Sequence, residues 1–134
     1  MSSSFRRLGS LPIAPFLDDE KDGDAESFLR WYRKYTPEVI LAGGRTIYYK
    51  FLTGAGIKVP EDVQFVSLHA EYNKSPVAGI SQNGIAVGGV AVDHLISMIQ
   101  SFKIGLEAYP KTTMVLGRWV DGASYNPGLL KNES

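Results

Sequence analysis

The sequence predicts an α/β fold in which a mostly parallel sheet is built in the order β-α-β-α-β-α-β. Three observations carry that expectation. Short unbroken apolar runs of strand length, such as Val39-Ile40-Leu41-Ala42, suit strands covered on both faces. They alternate with segments whose apolar residues recur at i, i+3, i+4 and i+7, the helical period. A chain of 134 residues suits one compact domain.

The run Leu11-Pro12-Ile13-Ala14-Pro15-Phe16-Leu17 opens the order as an edge strand or extended connector, because two prolines remove ladder donors. An acidic stretch, residues 18–24, then leads into a helix for which Asp24 is the N-cap and Glu26 meets the positive dipole end. Phe28, Trp31, Tyr32 and Tyr35 form one face of that helix, and Thr36-Pro37 ends it, since the residue before proline avoids the α region. The strand from Val39 to Ala42 closes on Gly43-Gly44.

A second helix is expected over residues 46–55, burying Ile47, Phe51 and Leu52, with Gly54 and Gly56 near its end. A strand over 63–68 follows, then a loop over 69–83. The third helix has the clearest pattern. Val87, Val90, Ala91, His94, Leu95, Met98, Ile99 and Phe102 make a single stripe, on which His94 is expected to be packed and hydrogen-bonded. Gly84, Gly88 and Gly89 lie on or beside this helix, and interior glycines weaken a helix by roughly 1 kcal/mol each against alanine. Close packing on a neighbour is the expected compensation. A last strand is predicted over 112–120, between flexible ends at 1–10 and 126–134.

Composition narrows the chemistry. Fourteen Lys+Arg balance fourteen Asp+Glu, and a neutral chain lacks the cationic excess that phosphate backbones require. The absence of cysteine excludes disulfides, thiolate catalysis and Cys-ligated zinc. Apolar runs fall short of the ~20 residues of a membrane-spanning helix, and Arg6-Arg7 precede no signal-like apolar region. The expectation is a soluble, cytoplasmic chain with no membrane partner and no cofactor.

Asp18, Glu20, Asp22 and Gly23 match the early positions of a calcium loop, but the bidentate Glu required later falls on Leu29, so no metal site is expected. Gly43-Gly44-Arg45-Thr46 offers amide donors before a helix without any GxGxxG or GKS/T pattern; a tight strand-to-helix turn accounts for the glycines. Arg45 is nevertheless a ligand candidate, because open α/β sheets bind at the carboxyl ends of their strands. His69 follows a strand directly and is a candidate for the same reason. Trp31, Tyr32, Tyr48 and Tyr49 read as core or interface rather than as a stacking platform. No nucleophile elbow or other catalytic signature occurs, so no catalytic residue is assigned.

The segment Gly56-Ile57-Lys58-Val59-Pro60-Glu61-Asp62-Val63-Gln64-Phe65-Val66 resembles the "G-hydrophobic-basic-V-P-E-D-V" turn and strand of the lactose-repressor (LacI/GalR) family of transcription regulators. Gly79-Ile80-Ser81-Gln82 and Val87-Gly88-Gly89-Val90-Ala91-Val92-Asp93-His94-Leu95 are similar to that family's glutamine segment and its "L-G-x-x-A-V-x-x-L" helix. Pro37 to Ala42 resembles its "P-D-A-hydrophobic" strand, and Gly122-Ala123-Ser124 its terminal "R-x-S". The likeness spans about residues 27–125, in the family's order.

The resemblance implies a periplasmic-binding-protein-like fold, with residues 11–125 forming a partial effector-binding and dimerisation domain and DNA contacted only through an N-terminal head outside this sequence. It implies a small-molecule effector held by His69 and Gln82, with Arg45 beside them. The family's polyol-binding groups are replaced by Gly43-Gly44 and His69, which removes contacts a sugar would use. Self-association as a homodimer or helix-exchanged oligomer is expected, with Glu71, Tyr72, Pro76, Val77 and Ile80 at the dimer contact. Two other readings fit the same fold class: a periplasmic-type solute-binding module and a small flavodoxin-like enzyme.

Overall fold

In the computed structural model, the described residues are 13–17, 24–70, 76–102, 105, 109 and 111–130. The acidic stretch at 18–23, Glu71 and Tyr72 lie outside them. The elements run α1 (Ala25–Tyr35), β1 (Val39–Ala42), α2 (Ile47–Gly54), β2 (Gln64–Ser67), β3 (Ala78–Ser81), α3 (Gly84–Gln100), β4 (Arg118–Val120) and a 3-10 turn at Pro127–Leu129. They make an α/β structure around a four-stranded open sheet in the order β1-β2-β3-β4. The first three strands are parallel and β4 is antiparallel to β3.

α1 begins and ends as its residues dictate. The Asp24 carboxylate accepts from the Glu26 N–H at 3.0 Å and from the Ser27 hydroxyl. Thr36 turns into the left-handed region and donates its N–H to the Tyr32 carbonyl at 2.7 Å, closing the helix before Pro37. Phe28 is the buried anchor of this helix. It packs in one core with Ile40, Ala42, Tyr48, Leu52, Val63, Phe65 and Val77. Complete burial of residues such as Leu52 and Phe65 stabilises the fold by roughly 1.5–3 kcal/mol each.

The expected order needs two changes. Residues 13–17 form no strand; they lie as a connector, with Trp31 Nε1 donating to the Ala14 carbonyl at 2.7 Å and Phe16 edge-on to Phe28 at 5.4 Å. The prolines in this run deny it ladder donors, and its aromatic ring finds the core instead. Conversely, the predicted loop over 69–83 contains strand β3. Four residues, one of them glycine, carry too weak a β pattern to stand out.

That glycine is required. A Cβ at Gly79 would sit 1.9 Å from the Ser67 carbonyl oxygen, so only glycine lets β3 approach β2 this closely. Ser124 completes the junction at the other end of these strands. It is fully buried, its N–H donates to the Pro76 carbonyl at 3.0 Å, and its carbonyl accepts from Phe65 N–H at 2.9 Å. Gly122 runs beside it, where a Cβ would lie 2.5 Å from the Ala78 nitrogen.

Register assigns the two faces. Ile40, Phe65, Ser67, Gly79 and Val120 share one, which carries the core and is covered by α1 and α2. Val39, Leu41, Val66 and Trp119 lie on the other. β1 was expected to be covered on both sides, yet Val39 is 40% and Leu41 62% exposed. Among the described residues this second face is open at β1, while on β2 it is partly covered: Gln64 is 3% exposed and accepts from the Asn126 N–H.

The third helix departs from the packing expected of His94 and of its glycines. Its predicted stripe is present from Val87 to Ile99, while Phe102 lies past the helix end; no residue of α3 is buried, and Ile85 is 95% exposed. His94 is exposed rather than packed. Cβ atoms placed at Gly84, Gly88 or Gly89 would meet open space, so these glycines mark no close packing here. The last strand is also shorter than the predicted 112–120, because residues 111–117 approach the sheet unpaired.

Candidate functional site

Three parallel strands deliver their following residues to one edge of the sheet. β1 ends into Gly43-Gly44-Arg45, β2 into Leu68-His69, and β3 into Gln82-Asn83. The sequence candidates Arg45, His69 and Gln82 therefore occupy the carboxyl ends of adjacent strands, and all three are exposed. This is the edge at which open α/β sheets hold ligands.

Local hydrogen bonds shape the turns. The Leu68 N–H donates to the Ala42 carbonyl at 2.9 Å, carrying the β1–β2 ladder one residue past the strand. His69 N–H donates to the Ser67 hydroxyl at 3.0 Å, and Asn83 N–H to the Ser81 hydroxyl at 3.3 Å. Both serines thus turn the chain out of their strands by the same two-residue contact. Ala70 N–H reaches across to the Ile80 carbonyl at 2.9 Å. The small Gly44 leaves the His69 side chain at its flank, where a Cβ at 44 would stand 3.8 Å from the histidine Cβ.

Because β4 is antiparallel, its first residue belongs to the same edge. Arg118 pairs with Ser81 and adds a second guanidinium to the row. Sequence reasoning missed it, since a strand drawn over 112–120 starts six residues before Arg118 and so does not place it at the strand's first position. Gly117 was the available signal: a Cβ there would stand 2.8 Å from the Ile80 side chain, so the glycine marks where the chain joins the sheet.

The edge is rich in donors, with two guanidiniums, an imidazole and a carboxamide. Such a set suits holding a polar ligand by hydrogen bonds and charge. The opposite edge carries the contrary sign. Glu38, Glu61 and Asp62 line a cleft of about 210 Å³ there, with Gln64 and Leu129. Among the described residues, no group of three or more His, Cys, Asp or Glu is placed to hold a metal ion.

Of the residues expected at a dimer contact, Pro76 is exposed and Ile80 half-buried, while Val77 lies in the core at 1% exposure. Asn126, expected in a loose tail, donates its N–H to Gln64 Oε1 at 3.0 Å. Among the described residues, no helix is long and apolar enough to cross a membrane.

One further relationship bears on this edge. Since β3 ends and β4 begins there, the chain leaves the sheet after Ser81 and rejoins it at Arg118 on the same side. The connection is an arm rather than a crossover, and α3 is its helix among the described residues. No family model matches the chain, and no curated protein or solved structure matches it either.

Proposed function

We propose that this chain is the effector-sensing and dimerisation part of a regulator of the lactose-repressor type, acting by binding rather than catalysis. The arm carries the reading. It departs from and rejoins the edge that bears Arg45, His69 and Gln82, and its helix has no cover of its own. In the family that the sequence resembles, the corresponding helix packs in a second lobe, and the effector lies between the lobes. An uncovered apolar helix reached only from the carboxyl edge is what half of such a sensor would present.

Mechanism follows from that placement. A ligand held by Arg45, His69 and Gln82 touches both the sheet edge and the root of the arm, because Gln82 is two residues from α3. Ligand contacts made in only one arm position shift the population toward that position. DNA would be reached through a head outside this sequence, whose geometry that shift alters.

The test is a titration of isotopically labelled protein, followed by backbone amide resonances, with neutral monosaccharides, nucleobases, small carboxylates and inorganic phosphate in turn. Shifts gathered on residues 43–46, 67–70, 81–83 and 117–118 support the reading. Saturable shifts gathered instead on the cleft of Glu38 and Asp62 would refute it, as would tight, sequence-specific DNA binding by this chain alone.

A further inference from the structure

The chain presents two apolar surfaces without partners, and they are complementary in kind. One is the open sheet face, where Val39 and Leu41 stand beside Leu68, itself 46% exposed. The other is α3, on which Val92, Leu95 and Ile99 fall along one line of the helix and are all more than half exposed. An α-helix laid on a bare sheet face is the layer an α/β fold lacks on this side. Among the described residues its own chain does not supply it, because the connection carrying α3 leaves and rejoins the sheet at the carboxyl edge instead of crossing it.

We infer that α3 of one copy docks on the open β1–β2 face of a second copy, and that the exchange is reciprocal. A second copy is the occupant because it carries both surfaces, so a single two-fold arrangement covers all four at once. Electrostatics do not oppose the contact: within α3 only Asp93 among Asp, Glu, Lys and Arg bears a charge, and Leu41, Val39 and Leu68 are uncharged. Area suffices as well. A helix of 17 residues is about 25 Å long. Docking one face of it removes on the order of 400 Å² from each surface, so two reciprocal contacts bury roughly 1,600 Å², the size of a stable interface. The inference rests on the dimerisation part of the proposed function and stands apart from its effector part, since it uses neither Arg45, His69 nor Gln82.

The experiment is sedimentation of the full chain and of two variants, Leu41→Asp on the sheet face and Leu95→Asp on the helix. Both side chains are exposed in the single chain, 62% and 55%, so neither change touches its core; circular dichroism checks that the fold is kept. The wild type is expected to be a closed dimer, weakened at least about 30-fold by either substitution. Mixing the two variants is expected to restore dimer above either alone, because one wild-type helix then meets one wild-type sheet. A monomeric wild type overturns the inference. So does a dimer indifferent to Leu41→Asp, which would mean helix-on-helix pairing, or an open-ended ladder of oligomers. Loss of effector binding with the dimer intact would instead strike only the functional reading.

Discussion

Ser124 and Ala78 are 46 residues apart in sequence, yet the Ala78 N–H donates to the Ser124 hydroxyl oxygen at 2.9 Å, fully inside the protein. The same hydroxyl donates to the Phe65 carbonyl. One side chain therefore occupies the gap where β2 and β3 have not yet paired, and satisfies a donor on one strand and an acceptor on the other. Ser124→Ala leaves both backbone groups buried without that partner, a loss of about 1–3 kcal/mol. Urea unfolding should show a lower midpoint at unchanged slope. A midpoint equal to wild type would mean that water replaces the hydroxyl.

The second junction between these strands is steric. Gly79→Ala forces a Cβ to within 1.9 Å of the Ser67 carbonyl oxygen, and the nearest atoms on that side are backbone, which cannot swing away. We expect β2 and β3 to part, removing more than about 3 kcal/mol and the cooperativity of thermal unfolding. Gly54→Ala is the control, since a Cβ at Gly54 meets nothing. Equal melting curves for the two variants would show that the strands are not so closely apposed.

These junctions explain what could be read from sequence. α1 was legible in full, because Asp24, the aromatic period and Thr36-Pro37 are all local signals. α2 and the carboxyl-edge placement of Arg45 and His69 were legible for the same reason. β3 was not, since Ala78–Ser81 becomes a strand only through Gly79 against Ser67 and Ser124 beneath Ala78, both distant in sequence. Nor was the direction of β4, which decides whether Arg118 joins the site and whether α3 crosses the sheet. The stripe on α3 was correctly periodic, but periodicity states that a face is apolar, not that anything lies against it.

Acid should act on α1 through its cap. The Asp24 carboxyl is held below its ordinary value of 3.8, first by the Ser27 hydroxyl and then by the Glu26 and Ser27 N–H groups. A depressed folded-state pKa means stability that is present above the unfolded value and is lost as pH falls through the folded one. The window thus opens near pH 4 and extends below it. Asp24→Asn keeps a capping oxygen without the charge, so its stability should change less with pH between 5 and 2 than that of the wild type. Parallel curves would remove Asp24 from the acid response.

Alkali should act through Tyr32. Burial, then the nearby Asp62 charge, raises its phenol above the ordinary value of 10.0. The folded state therefore holds this proton more tightly, and stability present below pH 10 declines as pH rises beyond it. Tyr32→Phe keeps the ring without the ionisable group and should flatten the decline above pH 10. An unchanged slope would assign the alkaline loss to other residues.

Arg45, His69 and Gln82 are exposed, and exposed side chains away from caps and junctions contribute little to stability. His69 is a useful probe because its backbone N–H, not its imidazole, makes the turn contact with the Ser67 hydroxyl. His69→Ala keeps that N–H, so the melting temperature should stay close to wild type, within the shift that about 0.5 kcal/mol produces. Ligand affinity should behave differently, because each charged or amide donor removed from a bound polar group weakens binding by about 1–3 kcal/mol, roughly 5- to 150-fold. Calorimetric titration of His69→Ala and Gln82→Ala with whichever probe moves the amides at residues 43–46 and 81–83 reads this directly. Affinity lost without stability identifies a binding edge; stability lost in step with affinity would make these residues part of the scaffold. Unchanged affinity in both variants would take the ligand away from the carboxyl ends of β2 and β3 altogether.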